Sequence, residues 1–542
     1  MEFNLADLFE SVVRTVGDRT AIVSGDRRLT YAALDDRAGR LAAVMSDAGI
    51  GPGHFVGIQL PNCTEYIEAM LAAFKIRAVP VNVNYRYVDS ELRHLYADAG
   101  LVGLVHHVDY SAAVGGALDA MAERRLVLSV GPGGDYESTI EGAEPPERFP
   151  SRSADDLYCV YTGGTTGLPK GVIWRHEDIF FAAMGGGDPY QFGDHITSAD
   201  ELAGRIPDPG MVALPVPPFM HAAAHWLAFG IFFGGGTVVT LPGGRFDAEV
   251  TWGLVDAEKV NILVVVGDAM ARPLADVLEN EPDRYDLSSL MALGSGGALL
   301  SPSTKARLRN LRPGLIVKDA FGASETGQLG GAPPPDDPDG APRLHVDERT
   351  NVFDDELRPV AAGSGDVGLL ARGGRVPLRY LGDPDKSAAT FVTVDGVRWS
   401  LPGDLATVEE DGTIVVLGRS SQCVNTGGEK VYPEEVEAVL KAHPDVADVV
   451  VVGVPDETWG QAVAAVVQPR PGRRPTLEDL RESARASLAG YKLPRHLTLV
   501  DDVVRSPSGK PDHRWAKQVA SAALDSPADV PGTGETDRGG SG

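Results

Sequence analysis

Residues 161–172 read YTGGTTGLPKGV, and their types and spacing point to phosphate chemistry. An apolar run ends at Thr162, and Gly163, Gly164, Thr165, Thr166 and Gly167 come next, then Pro169 and Lys170. Glycines let the backbone turn successive N–H groups toward one point, hydroxyls add donors, and the lysine adds a positive charge. Such a loop suits phosphate oxygens. It is not a Walker loop, because Pro169 stands where that motif needs the glycine before its lysine. A second candidate is HAAAH, which spaces His221 and His225 one helical turn apart as in a zinc protease. It lacks the glutamate after the first histidine, so zinc is not expected there. The segment GSGGALL at 294–300 resembles a dinucleotide fingerprint but has Leu299 at the last glycine position.

These residues need elements to position them. From residue 1 to about 330, helical and strand patterns alternate. Thr30 is placed to cap a helix with Leu34, Ala38, Leu41, Ala42 and Met45 on one face, ended by Gly49. Strands are expected at 55–60, 79–83, 157–162, 262–267 and 315–321, with a helix at 64–76. Alternation of this kind implies mostly parallel sheets covered on both faces by helices, with ligands at the strand C-termini. From about 365 to 418 the pattern changes to short strands with turns. After Arg419 comes a compact α+β unit, with helices at 433–441 and 476–488 and strands at 448–454 and 462–467. Residues 331–342, GAPPPDDPDGAP, read as a loop, and 521–542 lack any apolar period and read as a disordered tail.

Composition limits the function classes. The chain has 542 residues, 43 % hydrophobic, with 49 Lys+Arg against 76 Asp+Glu for a net charge of −27. That length suggests more than one domain. The acidic balance argues against nucleic-acid binding, which needs clustered cations. Cys63, Cys159 and Cys423 are far apart and form no CxxC pair, so neither a disulfide framework nor structural zinc is expected. The start, MEFNLADLFESVV, has acidic residues where a signal peptide needs a basic n-region and a clean apolar run, so none is expected there, and no apolar run is long enough to cross a bilayer. The expected location is the cytoplasm, with no membrane span.

The glycine-threonine loop resembles the signature loop of the adenylate-forming superfamily: acyl-CoA synthetases, peptide-synthetase adenylation domains and luciferases. The superfamily's other motifs appear in order. DAFGASETG at 319–327 resembles the adenine and magnesium motif, and SLPGDLATV at 400–408 the ribose motif. VVLGRSSQCVNTGGEKVYPEEVE at 415–437 resembles the hinge motif, and RSPSGKPDHR at 505–514 the segment with the C-terminal lysine. The resemblance implies an α/β fold. A large N-terminal domain, residues 1–418, would hold parallel doubly wound sheets and a small β-barrel-like part. A small mobile α+β domain would span 419–520, and the tail 521–542.

It also implies roles. ATP, Mg2+ and coenzyme A would be used, with Lys510, Glu325 and Thr166 catalytic and Glu325 and Thr166 holding the metal. The nucleotide would lie among Thr162, Gly163, Gly164, Thr165, Thr166, Gly167, Lys170, Gly297, Ala298, Asp319, Ala320, Phe321, Gly322, Ser324, Asp404, Arg419 and Lys510. Phe321 would stack on adenine and Asp404 bind the ribose hydroxyls. A carboxylate attacking the α-phosphorus brings two anions together, so cations and in-line positioning lower the barrier. The resulting acyl-AMP is opened by a thiol after the small domain turns, bringing Gly427 and Gly428 in place of Lys510; these two and Lys430 would also be cofactor-binding residues. At the family's usual Asp or Lys pivot, two residues beyond Arg419, this chain has Ser421.

The acid would be bound by His221, Ala224, His225, Phe229, Gly267, Asp268, Gly294 and Gly296, with few bulky side chains at 294–298. No acid occurs in PPFMHAAAH, unlike amino-acid-activating relatives, and Asp268 is the one nearby carboxylate that could serve. Segments such as VNVNYRYVDSELRHLYADA and AGYKLPR are most similar to actinobacterial acyl-CoA synthetases, especially those for fatty acids and sterol side-chain acids. The expected partners are a bulky or long hydrophobic carboxylic acid, ATP and CoA; a homodimer is compatible with the resemblance. The competing readings are a secondary-metabolism enzyme that activates an aryl or unsaturated acid, or an oxyanion such as nitrite, for another nucleophile, and a catalytically silent binding module.

Overall fold

The computed structural model describes residues 1–162, 169–188, 194–241, 246–298, 300–330, 344–419, 422–426, 429–456, 459–485, 487–505 and 510–525. For Asp319, Arg419, Glu429 and Asp525 it describes the backbone alone. The chain divides into two compact units, Met1–Leu417 with Ser506–Lys510, and Gly418–Arg505 with Pro511–Gly542.

The first unit is built on two parallel arrays. One is an eight-stranded sheet whose inner strands, Ile316–Ala323, Ala292–Gly296, Ile262–Val265, Val212–Pro215, Thr237–Thr240 and Thr20–Ser24, are mutually parallel. Its outer strands, Gly327–Gly330 and Arg27–Thr30, are antiparallel hairpin partners. The other is a four-stranded parallel sheet in the order Val79–Asn82, Phe55–Gln59, Leu101–His107, Leu126–Val130. Its strands read as apolar runs because helices cover them; every residue of the helix Thr64–Lys75 is buried. Thr30 caps the helix Tyr31–Asp47 by accepting from the Ala33 N–H, and Gly49 leaves it at φ 77°.

Leu157–Thr162 departs from the sequence expectation of a parallel strand. It pairs antiparallel with Lys170–Arg175, which pairs antiparallel with Arg379–Tyr380. The glycine-threonine segment is too short to carry a crossover, so the chain can only return as a hairpin. The barrel-like region is a seven-stranded antiparallel sheet between Leu344 and Arg419.

The second unit is a five-stranded sheet with a core on each face. Along Val446–Asp456, Val449 and Val451 point into one core and Val450, Val452 and Val454 into the other, the period of two that an extended strand imposes. Pro433–Lys441 and Leu477–Ala484 cover the first face. The latter stops before the expected residue 488, and Leu488 still reaches that core from the turn beyond. His513–Asp525 covers the other face through Ala516 and Ala520. It runs past residue 521, where the sequence pattern suggests a disordered tail; residues 526–542 lie outside the described residues. All three cysteines are free. Among the described residues no helix is long and apolar enough to cross a membrane.

Candidate active site

The hairpin fixes the two ends of the glycine-threonine loop. Thr162 and Lys170 are cross-strand partners, and the Lys170 ammonium pairs with Asp383, the N-cap of the helix Pro384–Thr390. Gly163, Gly164, Thr165, Thr166 and Gly167 lie outside the described residues.

Parallel pairing brings the next motifs side by side. Gly294 stands opposite Lys318, Ser295 opposite Asp319 and Gly296 opposite Ala320. The Gly267 N–H donates to the Ser295 hydroxyl at 2.9 Å, which seats the start of the helix Gly267–Asn280 on the same strand end. Gly297 comes directly after that strand, with φ 83°. Lys510 belongs to this unit, and its Cε lies 3.7 Å from where a Cβ on Gly297 would sit. Ala298 is half-buried beside it. The large-unit residues 294–298 and Lys510 are therefore together.

Glu325 sits in the turn between Ile316–Ala323 and Gly327–Gly330 and is 9 % exposed. The Tyr380 hydroxyl donates to its carboxylate at 2.9 Å. The Trp174 ring N–H donates to the Ser324 carbonyl at 3.0 Å. Tyr380 and Trp174 both belong to the sheet of the glycine-loop hairpin, so that sheet holds the Glu325 turn in place. No Lys or Arg among the described residues pairs with Glu325. No cluster of three or more His, Cys, Asp or Glu that could hold a metal occurs among them either. A carboxylate without a cationic partner among the described residues fits magnesium, which is commonly held by one or two carboxylates, substrate phosphates and water.

Phe321 packs, half-buried, against the cluster containing Ala406 and Val408. Those two lie on Asp404–Val408, which begins with the buried Asp404, so the aromatic and the carboxylate share one wall. Gly322 has no room for a side chain, because a Cβ would run into the Gly327 carbonyl. The side chains of Asp319 and Arg419 lie outside the described residues, as do Ser421, Gly427 and Gly428. Lys430 is exposed in the second unit, paired with Asn425.

The acid-side residues divide. His221 stands at the N-cap position of the helix Ala222–Phe233 without a side-chain capping bond, and its Nε2 is buried with no hydrogen-bond partner among the described residues. Burial, and then the charge of Lys510, push its pKa down to about 3. His225 instead lies in the core. Its Nδ1 bonds the Phe219 carbonyl at 2.8 Å and its Nε2 bonds the Tyr158 hydroxyl, which also accepts from Trp226 at 2.9 Å. Burial lowers its pKa to about 4. The carbonyl requires a proton on Nδ1, so Nε2 is the acceptor and neither nitrogen remains for zinc. Ala224 and Phe229 are wholly buried, with Phe229 edge-on to Phe74 at 5.7 Å. Asp268 is paired with Arg272 at 3.0 Å and accepts from the Ser301 N–H at 2.9 Å. It is a neutralised helix-end group rather than a free acceptor for an ammonium.

Sequence reasoning missed Trp174, Tyr380 and Asn82, which join separate segments. Nothing in a linear pattern marks them, because their partners are distant in the chain.

A family model described as AMP-binding enzyme matches residues 9–380, and one described as AMP-binding enzyme C-terminal domain matches residues 435–510. The chain is 46 % identical over 534 residues to the 3-oxocholest-4-en-26-oate–CoA ligase of Rhodococcus rhodochrous, covering 95 % of this chain and 96 % of that protein. It is also 46 % identical over 551 residues, covering 99 % of each chain, to the medium/long-chain-fatty-acid–CoA/3-oxocholest-4-en-26-oate–CoA ligase of Mycobacterium tuberculosis (strain ATCC 25618 / H37Rv). The solved structure of ATP-bound MatB from Rhodopseudomonas palustris matches with a TM-score of 0.80 at 25 % identity, over 96 % of this chain and 99 % of that one.

Proposed function

This chain belongs to the AMP-binding enzyme family, and on that footing we propose that it is an AMP-forming acyl-CoA ligase for bulky or long hydrophobic carboxylic acids. Sterol side-chain acids and fatty acids are the substrate classes, supported by the two full-length relatives named for them. The observation that carries the catalytic reading is Lys510 against Gly297, at the C-terminal ends of the parallel strands.

The residues divide the work between nucleotide, metal and acid. The glycine-threonine loop holds the β- and γ-phosphates with backbone N–H groups, and Lys170 closes its far end. Phe321 stacks on adenine and Asp404 binds the ribose hydroxyls, with Arg419 and Asp319 beside the nucleotide. Lys510 stabilises the charge that grows on the α-phosphate as the carboxylate attacks and pyrophosphate leaves. Magnesium, when bound, offsets phosphate charge; Glu325 and the Thr166 hydroxyl would hold it. His221 is held neutral at the acid's edge and so adds no charge to an apolar pocket. His225, Ala224 and Phe229 act behind it by packing. In the second half-reaction the smaller unit, whose Arg505 and Pro511 flank the segment 506–510 in the chain, turns and withdraws Lys510, Gly427 and Gly428 take its place, and the CoA thiol displaces AMP. The reaction runs in the cytoplasm, where the three free thiols stay reduced.

The test is exchange of labelled pyrophosphate into ATP with a panel of acids, and then thioester formation with and without CoA. Exchange driven by C12–C18 fatty acids or sterol side-chain acids and thioester only with CoA is the expected result. Exchange with aryl acids alone, or product without CoA, rejects the assignment.

A further inference from the structure

The strand that enters the phosphate loop and the segment that carries His221 come from different sheets, yet one buried side chain holds both. Asn82 ends the strand Val79–Asn82 and is 7 % exposed. Its Oδ1 accepts from the Tyr161 N–H at 2.7 Å, and its Nδ2 donates to the Tyr161 carbonyl at 2.8 Å and to the Met220 carbonyl at 2.6 Å. Both donors of the amide are used, and all partners are buried backbone groups. Among the described residues no backbone hydrogen bond joins Val79–Asn82 to Leu157–Thr162, which belong to separate sheets. The amide therefore takes the place of a ladder partner, using both polar groups of Tyr161. Tyr161 directly precedes Thr162 of the phosphate loop, and Met220 directly precedes His221.

We propose that Asn82 is the positioning residue that sets the acid-binding segment in register with the nucleotide loop. The proposal rests on the functional reading above and deepens it. In-line attack needs the carboxylate and the α-phosphorus held together to within a fraction of an ångström, although they are bound by different segments. A single amide bonded to both segments removes their freedom to slide independently. Asn62 provides the contrast. It accepts from the Phe219 N–H at 2.6 Å and donates to the Pro217 carbonyl at 3.0 Å, so these two bonds clamp the acid side alone.

The experiment compares Asn82→Leu, which keeps the volume and removes every hydrogen bond, with Asn62→Leu. Dissociation constants for ATP and for dodecanoate are measured by calorimetry on the full-length protein, with melting temperatures recorded in parallel. Asn82→Leu, which removes two hydrogen bonds on the nucleotide side and one on the acid side, should weaken both ligands at least about tenfold, the effect of one lost buried hydrogen bond. Asn62→Leu should weaken dodecanoate alone. A lower melting temperature with both affinities retained overturns the proposal, as does a loss confined to one ligand in Asn82→Leu. Wild-type protein that binds no ATP would remove the functional reading and this inference with it. Wild type that binds both ligands, beside an Asn82→Leu that does so equally well, removes the inference alone.

Discussion

Lys510 and His221 form a pair of opposite design. In the proposed mechanism Lys510 is the cation where phosphate charge grows, and burial, with that same cation, keeps the His221 imidazole uncharged. Lys510→Ala should therefore abolish acyl-AMP formation, by at least about a thousandfold in the style of a removed transition-state cation. Thioester formation from supplied acyl-AMP should survive within a few fold; equal loss of both steps contradicts the assigned role. His225 supports a second prediction, about pH. Its folded pKa of about 4 lies below the ordinary 6.5, so between those values the unfolded chain binds a proton that the folded chain does not. Stability present above 6.5 is then lost as pH falls toward 4, at about 1.4 kcal/mol per unit. Glutamine at 225 can donate to Phe219 and accept from Tyr158 without titrating. Calorimetric melting from pH 6.5 to 4.5 should show a shallower fall for His225→Gln than for wild type.

At the scale of elements, the alternating pattern of the first 330 residues and the helix 433–441 are legible because burial imposes its period on the sequence. The strand 157–162 is legible as a strand and not as half of a hairpin, since pairing direction depends on the length of the connection to the next strand. His225 escapes the linear pattern for a related reason. Helical spacing puts it beside His221, whereas His221 is the cap residue and His225 already faces inward to Tyr158. Buried polar groups of this kind also shape the second unit. Glu437, on Pro433–Lys441, accepts from the Val451 N–H at 2.8 Å, and burial raises its pKa to about 7 from 4.5 despite Lys441 nearby. Here the folded state binds the extra proton. Its stabilising contribution is present below 4.5 and lost as pH rises through 7. Glu437→Gln keeps the accepting oxygen and cannot ionise. Its advantage over wild type should grow by about 1.4 kcal/mol per unit between pH 4.5 and 7 and level off above. Hydrogen exchange of the amides of Val449–Val452 reads this directly, and a pH-independent difference would refute it.

At the scale of the whole molecule, the chain passes from one compact unit to the other at Leu417–Gly418. Gly418 has φ 113°, a conformation that costs an L-residue roughly 1–2 kcal/mol. A Cβ there would also overlap the carboxylate of Glu434. Any side chain at 418 therefore penalises this backbone conformation. In the proposed cycle the smaller unit serves two half-reactions in two orientations, and Ser421, in place of the usual Asp or Lys pivot, offers no charge to hold either one. The balance between them then falls to backbone conformations near the junction. A penalty of 1–2 kcal/mol on one orientation shifts that balance by about five- to thirtyfold. Gly418→Ala should accordingly slow pyrophosphate exchange and thioester formation from supplied acyl-AMP by unequal factors, differing about tenfold, with melting of the first unit unchanged. Equal slowing would mean that both half-reactions use the same conformation at this residue, and the two-orientation cycle would lose its conformational basis at the junction.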